Sequence, residues 1–239
     1  MNPYGVMNLF KNVKNVKSNG GGEKMAELLL TRFTHDIAGP IGAVVNGLDF
    51  VMHDARDTED PGGIEIKNQA IDIIDESSKQ SLARLQAYRM AYGVVYNENA
   101  KVATREIKDI MGRYFSKSHI DLIWNPSVPE GFPVNRRRIC VGMILTLARV
   151  FIYGGKISVS FSGENKNTIE VRGTAPKYKE PEMIRDILLN KKEIEMDVDN
   201  VPYFFIREAT DSLGGKITFE YKASDEEKQV TYITEFPNI

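Results

Sequence analysis

Two apolar patterns of helical period, separated by a turn, constrain this chain more than any other feature. The first runs through Leu30, Phe33, Ile37, Ile41, Val44, Leu48 and Val51 in steps of three or four. The second runs through Ile71, Ile74, Ser78, Leu82, Leu85, Tyr88, Tyr92 and Val95. That spacing keeps side chains on one stripe of an α-helix and does not fit the period of two that a half-buried strand needs. Between the patterns, Thr58-Glu59-Asp60-Pro61-Gly62-Gly63 is turn chemistry. The chain is therefore expected to hold a helical hairpin over residues 23–97, with the first helix running to about Asp54. Each helix has one apolar face, and an isolated pair cannot bury both. The hairpin is expected to pack on a second copy as a dimeric four-helix bundle. The alternative is that the C-terminal part of the same chain covers it.

His35 stands two residues from both Phe33 and Ile37. At about 100° per residue its imidazole falls opposite the apolar seam, toward solvent. The stripe it shares holds Thr31, Ala38, Gly39, Gly42, Asn46 and Asp49, small or polar side chains that let another protein approach closely. Glycine costs roughly 1 kcal/mol and proline roughly 3 kcal/mol in a helix interior, so Gly39, Pro40 and Gly42 predict a local kink near His35. A second reading has Gly39-Pro40 end one helix and begin another, with His35 an ordinary surface residue.

Composition bounds the rest. With 239 residues, 42% hydrophobic and 27% charged, the chain reads as an ordinary soluble protein of one large or two modest domains. A net charge of -2 gives no support to general nucleic-acid binding. The triplet Arg136-Arg137-Arg138 is a solvated helix cap, an acidic partner's contact or, more distantly, a DNA patch. The longest apolar run, Ile139 to Tyr153, is too short for a bilayer and contains Arg149, so it reads as a buried helix. Lys11, Lys14 and Lys17 are not followed by a signal-peptide core, and a cytoplasmic location is expected. The single Cys140 and three dispersed histidines offer no disulfide or zinc framework.

Residues 1–22, ending in Ser18-Asn19-Gly20-Gly21-Gly22, read as a mobile leader, with Val6 to Val16 able to form a short helix. After Asn97-Glu98-Asn99 the pattern changes to alternating elements over 98–239. Helices are expected at 102–116, 136–152, 180–190 and 201–213. Strands are expected at 119–124, 156–162, 167–173, 215–222 and 229–236, and turns at Gly163–Asn167 and Ala223–Lys228 mark two hairpins. The fold class is α+β: a long helical hairpin followed by an α/β sandwich.

The segment from Arg32 to Leu48, with His35-Asp36-Ile37-Ala38-Gly39-Pro40-Ile41 at its centre, resembles the start of the ChpT-type histidine phosphotransferases of alphaproteobacteria. The block is also similar to the phosphoacceptor box of sensor histidine kinases, and the order of elements resembles their dimerisation and ATP-binding halves. Two departures stand out. Where such a kinase carries a magnesium-binding asparagine, this chain reads Ile144-Leu145-Thr146-Leu147-Ala148-Arg149-Val150-Phe151. Where the adenine-recognising Asp-x-Gly-x-Gly would stand, it reads Val171-Arg172-Gly173-Thr174-Ala175-Pro176. Triphosphate binding needs a metal ligand or cationic clamp and flexible backbone amides. The resemblance thus implies a degenerate ATPase-like domain, with Gly214-Gly215 serving as a turn into a strand.

By that resemblance the chain relays phosphate between response-regulator receivers, from a hybrid-kinase receiver to a CtrA-like regulator. His35 is then the nucleophile, no cofactor is needed, and Mg2+ sits on the partner receiver. Asp36 either fixes the tautomer of His35 or is a solvated carboxylate. Arg32 either meets the phosphate or an acidic receiver surface, or is solvated. Thr31, Ala38, Gly39, Gly42 and Asn46 form the docking strip. Two other functions share the fold: a divergent ATP-dependent histidine kinase and a non-enzymatic receiver-binding adaptor.

Overall fold

The protein is described by a computed structural model over residues 21–54, 61–97, 100–176, 181–224 and 227–237. The expected leader over residues 1–20, with its short helix, and the tip of the hairpin at Thr58–Asp60 lie outside the described residues.

Helix α1 spans Gly21–Asp49 and runs into a π-helical turn at Phe50–Asp54; α2 spans Pro61–Tyr92. Pro61 was expected in the turn but opens α2. At a first helical position its missing N–H has no partner to lose, and its φ is already helical. Helix α1 passes through Gly39 and Pro40 without interruption, so these residues do not separate two helices.

The helices meet where Phe33 stands edge-on to Tyr88, ring centroids 5.3 Å apart. Farther along, a Cβ on Gly47 would lie 2.8 Å from Ile74 Cγ1, so this glycine sets the close approach of α1 to α2. Leu30, Ile41, Val45 and Leu48 on α1, and Ile71, Ile73, Leu82 and Leu85 on α2, remain about half exposed. The C-terminal part does not cover them. It packs on another face of α2, where Ala87, Met90 and Ala91 join the core shared with the helices at 104–115 and 134–148, and Ala83, one turn earlier, is also buried. The alternative of a C-terminal cover thus holds only at the Tyr88 and Tyr92 end of the seam, where both rings pack against the C-terminal core, and the rest of the apolar face stays open. The contact runs along a small-residue stripe at four-residue spacing that a count of large apolar residues passes over.

The C-terminal part layers helices on a mixed sheet, in the element order expected of the α/β sandwich, and the chain as a whole is α+β. Helices α3 (Thr104–Phe115), α4 (Val134–Ala148), α5 (Glu182–Leu188) and α6 (Val201–Ser212) accompany β1 (Lys101–Ala103), β2 (Ile120–Trp124), β3 (Gly131–Pro133), β4 (Gly155–Ser162), β5 (Thr168–Ala175), β6 (Lys216–Ala223) and β7 (Lys228–Glu235). Strands β1 and β3 were not expected. They pair antiparallel over three residues, too short to carry a period. The main sheet has order β2-β4-β5-β7-β6, with β2 parallel to β4 and every other neighbour antiparallel.

Alternation builds the core. Ile157, Val159 and Phe161 on β4 and Ile169 and Val171 on β5 turn inward, and Val159, Val171 and Tyr232 stand in register across three strands. Over them lies α4, whose Ile139, Cys140, Val141, Met143, Ile144 and Leu147 are completely buried. Burial pushes the Cys140 thiol up to about 12, so it stays protonated. Among the described residues no helix is long and apolar enough to cross a membrane.

Candidate functional site

His35 stands on the outer face of α1 with its side chain 84% exposed. Its Nδ1 lies 3.5 Å from Asp36 Oδ1, a long contact that leaves Nε2 facing away from the carboxylate. Around it Thr31, Ala38, Gly39 and Asn46 are exposed. Open space surrounds the Cβ positions of Gly39 and Gly42, and the Thr31 hydroxyl is satisfied by the Glu27 carbonyl at 2.9 Å. The strip read from the sequence is therefore unobstructed along one side of the helix.

Asp36 points the other way. Its Oδ2 accepts Arg32 Nε at 3.0 Å and the Tyr88 hydroxyl from α2. Only 19% of its side chain is exposed, so the solvated-carboxylate reading does not hold. Burial alone would raise its pKa, but hydrogen bonds from Tyr88 and Arg32 and the Arg32 charge hold the carboxyl below its ordinary value. Burial, the neighbouring Tyr114 and the bond to Asp36 raise the Tyr88 phenol and keep it a neutral donor.

Arg32 is likewise not solvated: 15% of its side chain is exposed, and Nη1 donates to Asp199 at 2.6 Å. Burial disfavours its charge, yet Asp36 and Asp199 outweigh that and raise its pKa. Arg149 Nη2 reaches the same Asp199 oxygen at 3.3 Å. Asp199 is held in place by its turn, in which the backbone N–H groups of Asp199 and Asn200 both donate to Asp197 Oδ1 at 2.8 Å.

Behind Asp36 a cavity of about 200 Å³ is lined by Arg32, Arg84, Tyr88, Tyr92 and Arg149 among others. Arg84 Nη1 enters this region and donates to the main-chain carbonyl of Asp36. An aromatic chain continues the seam, from Tyr88 stacked on Tyr92 to Tyr92 edge-on to Phe205 at 5.0 Å on α6. Sequence reasoning named Arg32 and Asp36 but missed Arg84, Tyr88, Arg149 and Asp199 as site residues. The four-residue step from Arg84 to Tyr88 and the lone charge in the apolar run at Arg149 were available signals. Nothing in the sequence marks Asp199.

The arginine triplet is not a solvated cap. Arg136 lies over Phe236 at 4.9 Å, while Arg138 lies over Phe205 at 5.0 Å and donates to the Ala91 carbonyl at 3.4 Å. Among the described residues no group of three or more His, Cys, Asp or Glu is placed to hold a metal ion.

Residues 104–225 match the family model of the histidine phosphotransferase C-terminal domain. The chain belongs to that histidine phosphotransferase family. A curated relative, Protein phosphotransferase ChpT of Brucella abortus (strain 2308), is 26% identical over 156 residues, covering 62% of this chain and 68% of its own length. A solved bacterial phosphotransferase shares the fold over 92% of this chain and 98% of its own, with a TM-score of 0.71 and 21% identity. The matched family region begins at α3. The phosphotransferase therefore carries its exposed histidine on the hairpin, ahead of the matched segment, and the Arg32–Asp199 bond joins the two.

Proposed function

We propose that this phosphotransferase relays a phosphoryl group between receiver domains through a phosphohistidine on His35. The observation that carries the reading is an exposed imidazole in the middle of an open strip of small side chains. With Asp36 beside Nδ1, the free electron pair of Nε2 attacks the phosphorus of a partner's aspartyl phosphate. The bond between phosphorus and the aspartate oxygen breaks, and that aspartate leaves as a carboxylate. The return step runs the same exchange onto a second receiver's aspartate. Phosphoryl transfer depends chiefly on position and charge neutralisation, so the receiver brings Mg2+ and this chain supplies geometry.

Thr31, Ala38, Gly39, Gly42 and Asn46 form the docking strip. Arg32 and Asp36 brace it from behind. The half-exposed apolar residues on both hairpin helices support a homodimer that closes a four-helix bundle. In this reading the phosphate comes from a partner and not from a nucleotide held by the chain; the close packing of Phe151 and Leu147 over Gly173, where a Cβ would come within 2.2 Å of the Phe151 ring, supports it. The relay operates in the cytoplasm, where receivers are found, without nucleic acid or membrane.

The test is incubation with receivers charged by acetyl phosphate, followed by detection of acid-labile, alkali-stable phosphate on the chain. Label on the wild type and none on H35A supports the relay. Full phosphate flow between two receivers with H35A leaves an adaptor role instead, and labelling from ATP alone would indicate a kinase.

A further inference from the structure

We infer that Arg84 is a positioning residue for His35, acting through the main-chain carbonyl of Asp36; the inference rests on the relay reading above. In an α-helix the carbonyl of residue 36 accepts from the N–H of residue 40. Position 40 is proline, which has no N–H and whose ring presses on that same carbonyl. Arg84 Nη1 donates to it from α2. A charged donor on the second helix thus replaces the bond that Pro40 removes, and α1 continues through Pro40 as one helix.

The consequence falls on the neighbouring residue. The imidazole of His35 is 84% exposed, and its one hydrogen-bond contact among the described residues is the 3.5 Å approach to Asp36. Its direction is therefore inherited from the turn on which it stands. That turn is fixed at Asp36 from three sides: Arg32 and Tyr88 hold the carboxylate and Arg84 holds the carbonyl. Arg84 contributes a bond that the sequence of α1 cannot make for itself. A docked receiver then meets an imidazole whose line of attack is set from α2.

Four proteins test this: wild type, R84M, P40A and R84M/P40A. Methionine keeps an apolar stem without the donor, and alanine at position 40 restores the helical N–H. Loss of one charge-assisted bond is expected to slow transfer from a charged receiver to His35 about tenfold in R84M, and less than about twofold when the same change is made in P40A. A packing role for Arg84 would not be relieved by a change at position 40. The carbonyl 13C resonance of Asp36, read with no partner present, should move in R84M and return in the double variant.

R84M transferring at the wild-type rate, an equal slowing by R84M in both backgrounds, or a resonance that ignores R84M would each overturn the inference. A wild type that no receiver charges, with the resonance moving as expected, counts against the relay and leaves the bond in place.

Discussion

Arg32 and Asp199 stand 2.6 Å apart across the seam between the hairpin and the C-terminal part, and the same guanidinium holds Asp36 at 3.0 Å. The two bonds are unequal because their acids differ in exposure, 82% for Asp199 and 19% for Asp36. D199N should cost no more than about 1 kcal/mol in urea unfolding, as exposed ion pairs do. R32A strips a half-buried carboxylate of its cation and should cost about 1–3 kcal/mol.

The Asp36 carboxyl also sets a pH dependence. Its native pKa lies below the ordinary value, so the unfolded chain binds more protons in that interval. The contribution is complete above the ordinary carboxylate range near about 4 and is lost as pH falls through the lowered native value. Urea unfolding between pH 7 and pH 3 should show that acid loss, and D36N should show a shallower one. An equal slope in both proteins would place the titration elsewhere.

Gly42 separates docking from folding. Open space surrounds its Cβ position, so G42A should stabilise the chain by up to about 1 kcal/mol through helix propensity and leave transfer nearly unchanged. G42W should keep the melting temperature and lose most of the transfer rate, because the ring would stand on the strip beside His35. Gly47 supplies the contrast. An added Cβ there meets Ile74 at 2.8 Å, and G47A should lower the melting temperature.

The open apolar face predicts self-association. Sedimentation of the wild type should give a dimer, and the double variant I41D/L48D should shift it to monomer at unchanged far-ultraviolet dichroism. A wild-type monomer at micromolar concentration would leave those residues for another partner.

The hairpin and the layer behind it were legible because periodicity is a property of local sequence. The steps from Leu30 to Val51 and from Ile71 to Val95 gave two helices, and the turns at Gly163 and Ala223 gave two strand pairs. His35 was placed outward by the same arithmetic. The environment of Asp36 was not legible. Tyr88 and Arg84 sit 52 and 48 residues away and Asp199 joins through Arg32, so only the packing of α1 on α2 and on the C-terminal part brings them together. The docking of that part on α2 was missed for a different reason: alanines at 83, 87 and 91 bury little area each, yet let the elements approach.

The proposed relay stands or falls on His35 carrying phosphate received from a partner's aspartate. The most direct measurement is single-turnover transfer from a radiolabelled receiver to the full chain, with the modified residue mapped by mass spectrometry under alkaline conditions. Label is expected at His35 alone, arriving as the receiver loses it and passing on when a second, uncharged receiver is added. Label that never leaves the receivers, or that reaches the chain equally in H35A, would contradict the relay.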